Sequence, residues 1–321
     1  MISQIKPISI ELAKPIILQN RQSNHSITKI TDEKILSLGR ELLQQLNNLD
    51  KPLVFYDLET TGLEGNNCRI VELSLIKLYP NSDMEIWTEK INPKIEIPEI
   101  VTKLHGITNE IVKDCHSFEE IAKELNDFIG DSHLSGYNII NFDLPVLKNE
   151  FKRTGIQLTT EGKGIIDPVR IYHKYFPATE RDGNRRLINA HKQYCGTDTT
   201  DDHAAQSDII KTIKVLNGQF KQHPELPRNI YELNKLCLTK LPDYVDHNGK
   251  LIWRKNKENN WEVVCNYFKP EHRGKPLSEV IKIDPEYIQW ALEPKDFDYS
   301  DEVKQILRDA LIGIYPTSPI N

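Results

Sequence analysis

The chain has 321 residues, 38% hydrophobic and 27% charged, with a formal net charge of −6. This ordinary globular composition excludes a disordered or fibrous chain and a polycation, and the length fits two modest domains better than one. The five cysteines are odd in number, widely spaced and form no C-x-x-C pair, which argues against a zinc site or disulfide frame. His191 and Cys195 could share a helix face, but a thiol packed as a small hydrophobe is the preferred reading there. No apolar run approaches the roughly 18 residues of a membrane span. Lys6, Glu11 and Lys14 interrupt the N-terminal stretch where a signal peptide keeps an apolar core. The expectation is a cytoplasmic protein with no membrane contact.

In chain order, residues 1–48 read as an N-terminal extension with one helix, "TDEKILSLGRELLQQLNNL", whose Ile35, Leu36, Leu43 and Leu46 share a side and whose cap is Thr31. "KPLVFYDLE" is a short apolar run, as for a central strand. "RIVELSLIKLY" and "MEIWTEKINP" alternate in the β manner across the turn "PNSD", giving a three-stranded meander. "SFEEIAKELNDFIG" is an amphipathic helix with Ser117 and Glu120 as a capping box and Gly130 as its stop. "SHLSGYN" is a further strand. "FDLPVLKNEFKRTG" is a helix ending at Gly155, and "DHAAQSDIIKTIKVLNG" one ending at Gly218. Strands first, then alternating strands and helices, predict a mixed sheet with helices on its faces. After Gly218, "HPELPRNIYELNK" reads as a connector with a short helix and "KLIWRKNKENNWEVVCNYF" as a hairpin. "DPEYIQWAL" and "SDEVKQILRDAL" are short helices with Asp284 and Ser300 at their starts.

The chemistry-bearing residues begin in "VFYDLETTGLE". Asp57 and Glu59, two apart on a strand, point to one face. Two like charges so close repel, and a divalent cation held by carboxylate oxygens removes the repulsion. The bland alternative is an acidic strand end in solvent. "GYNIINFDLPVL" sets Asp143 at a helix start just after a strand end, and "HAAQSD" supplies His203 and Asp208. On an ideal helix, positions five apart differ by roughly 140°. Both reach one site only if His203 precedes the helix or lies in its first turn. That pairs a rigid ligand with a more mobile base.

These three segments, in this order, resemble the exonuclease motifs of the DEDDh group of 3′–5′ exonucleases, the DnaQ-like family, over residues of about 50 to 218. "KLHGIT" resembles the segment between the first two motifs. The resemblance implies an α/β fold: an RNase H-like mixed five-stranded sheet flanked by helices. It implies two Mg²⁺ ions, which Mn²⁺ replaces, held by Asp57, Glu59, Asp143 and Asp208, with His203 as general base. It implies substrate contacts from Thr60, Thr61, Gly62, Leu63, His105, Asn138 and Phe142. "NYFKPEHRGKPLSEVIKIDPEYIQWAL" is similar to the small module that follows the nuclease domain in exonuclease X-type proteins. The expected organisation is an extension over 1–48, an exonuclease domain over 49–220, a linker over 221–244 and a small α+β C-terminal domain over 245–321.

The expected function is metal-dependent release of nucleoside monophosphates from a DNA 3′ end, single-stranded or frayed, in repair, proofreading or end processing. The partners are nucleic acid with a free 3′ end, DNA favoured over RNA, and a DNA polymerase or repair complex. Alternatives are an exoribonuclease of the same fold and, in another class, a catalytically silent nucleic-acid-binding or polymerase-associated module. The intact acid set and His203 argue against the silent module. In the C-terminal unit, Lys269, Arg273 and Lys275 beside Trp253, Trp261 and Tyr267 suit single-strand binding by charge and stacking. The competing reading makes those aromatics the core of a small unit.

Overall fold

The computed structural model describes residues 27–62, 68–176, 186–196, 205–241, 243–246, 249–266, 268–269, 271–293 and 299–318. A short strand β1 (Thr28–Lys29) precedes helix α1 (Glu33–Gln45). The helix begins one residue later than the sequence suggests: Asp32 is the cap, its side chain accepting the Lys34 N–H at 2.8 Å. Three antiparallel strands follow, β2 (Leu53–Thr60), β3 (Ile70–Leu78) and β4 (Met84–Lys90), then short helices α2 (Glu99–His105) and α3 (Asn109–Val112). Helix α4 (Phe118–Ile129) carries the expected Ser117/Glu120 capping box. Strand β5 (His133–Ser135), helix α5 (Asp143–Arg153), strand β6 (Ile165–Ile166) and helices α6 (Pro168–Tyr175), α7 (Leu187–Cys195), α8 (Ala205–Gln222) and α9 (Ile230–Leu238) complete the main body. The C-terminal part holds the hairpin β7 (Leu251–Lys255) and β8 (Trp261–Cys265) with helices α10 (Leu277–Ile283), α11 (Pro285–Leu292) and α12 (Asp301–Leu311).

The sheet has six strands in the order β1-β4-β3-β2-β5-β6, with β2, β5 and β6 parallel and the rest antiparallel. The expected mixed α/β sheet is present, with β1 as an additional two-residue strand at one edge. Strand β2 runs through the middle and separates two cores. Val54, Tyr56 and Leu58 pack with α4 and α5, through residues such as Phe118, Leu125 and Phe151. Leu53 and Phe55, one residue out of phase, pack with α1 and α8 through Leu42, Ile209, Ile213 and Phe220. The period of two along the strand thus fills both faces. Each fully buried side chain of this size contributes roughly 1.5–3 kcal/mol.

Helix α8 does not end at Gly218. It continues to Gln222, and Gly218 instead allows a close approach: a Cβ there would lie 2.7 Å from the Tyr194 carbonyl oxygen on α7. Residues 221–244, expected as a linker, contain α9, whose Ile230, Leu233 and Cys237 belong to the second core. The C-terminal hairpin and its three helices enclose their own cluster around Leu251, Trp253, Val280, Ile288 and Leu307.

Candidate active site

The site grows from the end of β2. Asp57 and Glu59 alternate with the buried Tyr56, Leu58 and Thr60 and face the side covered by α8; both are half-buried. Register across the hairpin sets Asp57 opposite Ser74 and Glu59 opposite Glu72, while Glu72 stands opposite Lys90 on β4. Cross-strand partners share a face. Glu72 is therefore a fifth carboxylate beside the predicted set, held by an ion pair from Lys90. Its signal in the sequence is the single acid in the otherwise apolar run "IVELSLI", and only the hairpin register reveals its neighbour.

Asp143 is the first residue of α5. It is 4% exposed, and its Oδ1 accepts the Leu58 N–H at 3.2 Å, which fixes the helix start against the end of β2. Asp208 lies in the first turn of α8, which packs on β2 and β3. The buried Lys211, one turn along, donates to Asp208 Oδ1 at 2.9 Å. The acids feel one another. Burial, then Asp143, Asp208, Glu59 and Glu72, push the Asp57 carboxyl well above its ordinary range. Burial, then Glu72, Asp208 and Asp143, push Glu59 up to about 8, with Lys90 opposing. Burial is also the main cause that raises Asp143, against the backbone N–H groups that favour its charge. Asp57, Glu59, Asp143 and Asp208 thus converge into one field of negative charge.

Among the described residues, no three His, Cys, Asp or Glu side chains already close around a common point as a metal cage would. The donor set nevertheless fits a hard divalent cation. It is all carboxylate oxygen, and a bound cation would relieve the mutual repulsion that adds to burial in raising Asp57 and Glu59.

Around the acids, the predicted contact residues fall as follows. The Thr60 hydroxyl donates to the Gly62 carbonyl at 2.6 Å, and Thr61 bonds Arg69 through N–H to O and through its hydroxyl oxygen, both at 2.9 Å, closing the β2–β3 loop. His105, at the end of α2, accepts the Ile107 N–H on Nδ1 (3.1 Å). Nε2 therefore carries the proton and donates to the Thr60 carbonyl at 3.3 Å. Burial holds this imidazole below its ordinary pKa, so it is neutral near pH 7. Asn138 has a left-handed backbone (φ 64°) in the turn leading to α5, and Phe142, half-buried, precedes Asp143. His203 and Leu63 lie outside the described residues.

Sequence reasoning missed two supports. Glu150 on α5, 1% exposed, accepts from Arg69 Nε (2.7 Å) and the Ile70 N–H (3.2 Å), anchoring the start of β3. Asp167, fully buried, caps α6 and accepts the N–H groups of Asn138 (2.8 Å) and Ile140 (3.2 Å). Asp167 is a lone acid in an apolar stretch and Glu150 one acid among the basic residues of α5, signals that only the fold makes specific. In the C-terminal unit, Trp253 is 7% exposed and sits in the core, Lys269 pairs with Asp284 and Lys275 with Glu279. Trp261 is 41% exposed, and Tyr267 lies outside the described residues.

Comparison with known proteins bears on this arrangement. The family profile described as "Exonuclease" matches residues 54–216, and the one described as "Exodeoxyribonuclease X-like C-terminal" matches residues 272–296. A DNA polymerase III PolC-type from Clostridium perfringens is 26% identical over 178 residues, 56% of this chain and 12% of that protein. A 3′-5′ exonuclease DinG from Staphylococcus aureus is 27% identical over 183 residues, again 56% of this chain and 20% of that protein. The chain thus spans a fifth or less of the length of these relatives. Among solved structures, E. coli exonuclease I in complex with a dT13 oligonucleotide aligns over 78% of this chain and 61% of that one, at 16% identity and a TM-score of 0.49.

Proposed function

The chain belongs to the exonuclease family over residues 54–216, and from that membership we propose that it hydrolyses DNA from the 3′ end, releasing nucleoside monophosphates. The observation that carries the proposal is the convergence of Asp57, Glu59, Asp143 and Asp208 from one strand end and two helix starts. Asp57, Glu59, Asp143 and Asp208 would hold two divalent cations, Mg²⁺ or Mn²⁺. Bound there, they supply Lewis-acid polarisation of the phosphate and a nucleophilic water at neutral pH.

The protein's own residues do the rest. His203 accepts the proton of the attacking water, a role its ordinary pKa near the working pH suits. The turn Thr60–Gly62, closed by the Thr61–Arg69 bonds, offers backbone to the last nucleotide, and Leu63 is assigned to the same contact from the family resemblance alone. His105, fixed by Ile107 and Thr60, contacts the terminal sugar as a neutral ring. Asn138 and Phe142 flank Asp143 and line the same end of the sheet.

DNA is favoured as substrate by the kinds of relatives found, a DNA polymerase III of PolC type and a 3′-5′ exonuclease. A role in proofreading, repair or end processing, beside a polymerase or repair complex, follows from the same likeness. Among the described residues no helix is long and apolar enough to cross a membrane, and a cytoplasmic location is part of the proposal.

The test uses 5′-labelled single-stranded DNA, duplex DNA and RNA, with Mg²⁺ or Mn²⁺ against EDTA. A ladder shortening stepwise from the 3′ end of DNA, only with the cation, is expected. Mononucleotide release from the 5′ end, undiminished turnover in EDTA, or preference for RNA overturns the corresponding part.

A further inference from the structure

The turn of residues 138–142, whose Ile139 is buried in the first core, bears Asn138 and Phe142 and delivers Asp143 to the end of β2. A buried polar cluster holds it. Asp167 accepts the N–H of Asn138 at 2.8 Å and of Ile140 at 3.2 Å, while also capping α6 through the Val169 N–H at 3.2 Å. The Arg170 guanidinium, 1% exposed, donates from Nη2 to Asn141 Oδ1 at 3.0 Å, and Asn141 Nδ2 donates to Asn138 Oδ1 at 3.1 Å. Backbone and side chains of the turn are thus gripped from α6, and the left-handed conformation of Asn138 is held in place.

The other side of Arg170 meets a residue of the C-terminal part. Its guanidinium lies 5.4 Å from the ring centre of Tyr244, whose hydroxyl pairs with His173 Nδ1 at 2.9 Å. Tyr244 is 2% exposed and bridges Ile252 of β7, and the neighbouring backbone joins the same hairpin through Trp253 N–H to Asp243 O at 2.8 Å. Gly249, at a φ of +67°, lies so close that a Cβ there would sit 2.3 Å from the tyrosine ring. The ring therefore lies against a tight turn of the C-terminal unit and the guanidinium of the nuclease body.

We propose that Arg170 is a positioning residue through which Tyr244, and with it the C-terminal hairpin, fixes the 138–142 turn that carries substrate contacts and delivers Asp143. The inference rests on the functional reading above for its kinetic part. A planar, multiply donating guanidinium suits a clamp that must hold an amide and an aromatic face at once.

The test uses the full chain with Tyr244→Leu, Tyr244→Phe and Arg170→Met. It reads amide hydrogen exchange in 138–142 and, separately, kcat and KM on single-stranded DNA. Tyr244→Leu and Arg170→Met should speed exchange at Asn138 and Ile140 by about tenfold or more, while β2 and β3 stay protected. Because small misplacements of reacting groups lower rates by up to about 10²-fold, kcat should fall roughly tenfold or more in both. Tyr244→Phe keeps the ring against Arg170 and should rescue both readouts to within about threefold. Exchange in 138–142 that stays unchanged in Tyr244→Leu, or loosening spread evenly over the sheet, overturns the proposal. If the wild-type protein releases no nucleotides, the functional reading fails while the exchange measurement still decides the clamp.

Discussion

Asp57, Glu59 and Asp143 are harder to charge in the metal-free protein than ordinary carboxylates, chiefly through burial and, for the first two, one another's fields. The direction fixes a stability profile. Glu59 is raised in the folded state to about 8, against an ordinary value near 4.3 when unfolded. Such a group contributes stability that is fully present below the unfolded value and is lost as pH rises through the folded one. The melting temperature in EDTA should therefore fall between about pH 4 and pH 8 and level off above. Saturating Mn²⁺ should add most at the alkaline end, and Glu59→Gln should flatten the EDTA profile. Calorimetric scans across pH decide this, and a metal-induced gain that shrinks as pH rises would contradict it. A second expectation separates roles on either side of the start of α8. His203→Ala should bind Mn²⁺ as tightly as wild type while kcat falls on the order of 10²–10⁴-fold, the usual loss for a general base. Asp208→Ala should lose metal affinity as well as rate. Isothermal calorimetry with single-turnover kinetics tests both, and equal loss of metal binding in the two variants would make His203 a ligand instead.

Among elements, those with strong local signals were legible in the sequence. The β2–β3–β4 meander, the Ser117/Glu120 capping box, the α11 and α12 starts and the terminal hairpin all follow from alternation, caps and turns. The two-residue strands β1 and β6 carry no periodicity to read and exist because the sheet edge offers hydrogen bonds. The short helices α2, α3, α6, α7 and α10 were missed because their stability comes from packing rather than from length. The Asp57/Glu59 pair was legible because residues two apart on a strand share a face, whereas grouping it with Asp143 and Asp208 took the resemblance to the exonuclease motifs. Glu72, Glu150 and Asp167 were not, since register and tertiary contact alone bring them in. Gly218 shows the same limit from the other side: glycine near a helix end reads as a stop, but here it lets α8 lie against the Tyr194 backbone. Gly218→Ala should gain about 1 kcal/mol of helix propensity yet lose more to the 2.7 Å approach to Tyr194. A net destabilisation of about 1–3 kcal/mol is expected from such overpacking. A urea titration showing a stabilised variant would mean that α7 can yield at no cost.

At the scale of the whole molecule, the connector is where the sequence misleads most. Prolines and a composition change after Gly218 invite a cut near residue 220, with a free-standing nuclease as the product. The structure carries the main core past that point. Ile230, Leu233 and Cys237 of α9 are buried with Ile166, Ile171 and Phe220, and Asn234 accepts the Ile165 N–H at 2.9 Å, pairing the last strand of the sheet. Removing residues 221–321 would strip these side chains at roughly 1.5–3 kcal/mol each, a loss comparable to the typical total stability of 5–15 kcal/mol. It would also remove Tyr244 from Arg170. A chain ending at residue 220 is therefore expected to lack a cooperative thermal transition and to lose hydrolysis. The reason would be exposure of its second core, since its predicted acids would all remain. Differential scanning calorimetry beside an oligonucleotide assay measures both. A truncated chain that melts cooperatively within about 5 °C of the full one, roughly a 1–2.5 kcal/mol change, would show that α9 is an appendage and would restore the division that the prolines suggest.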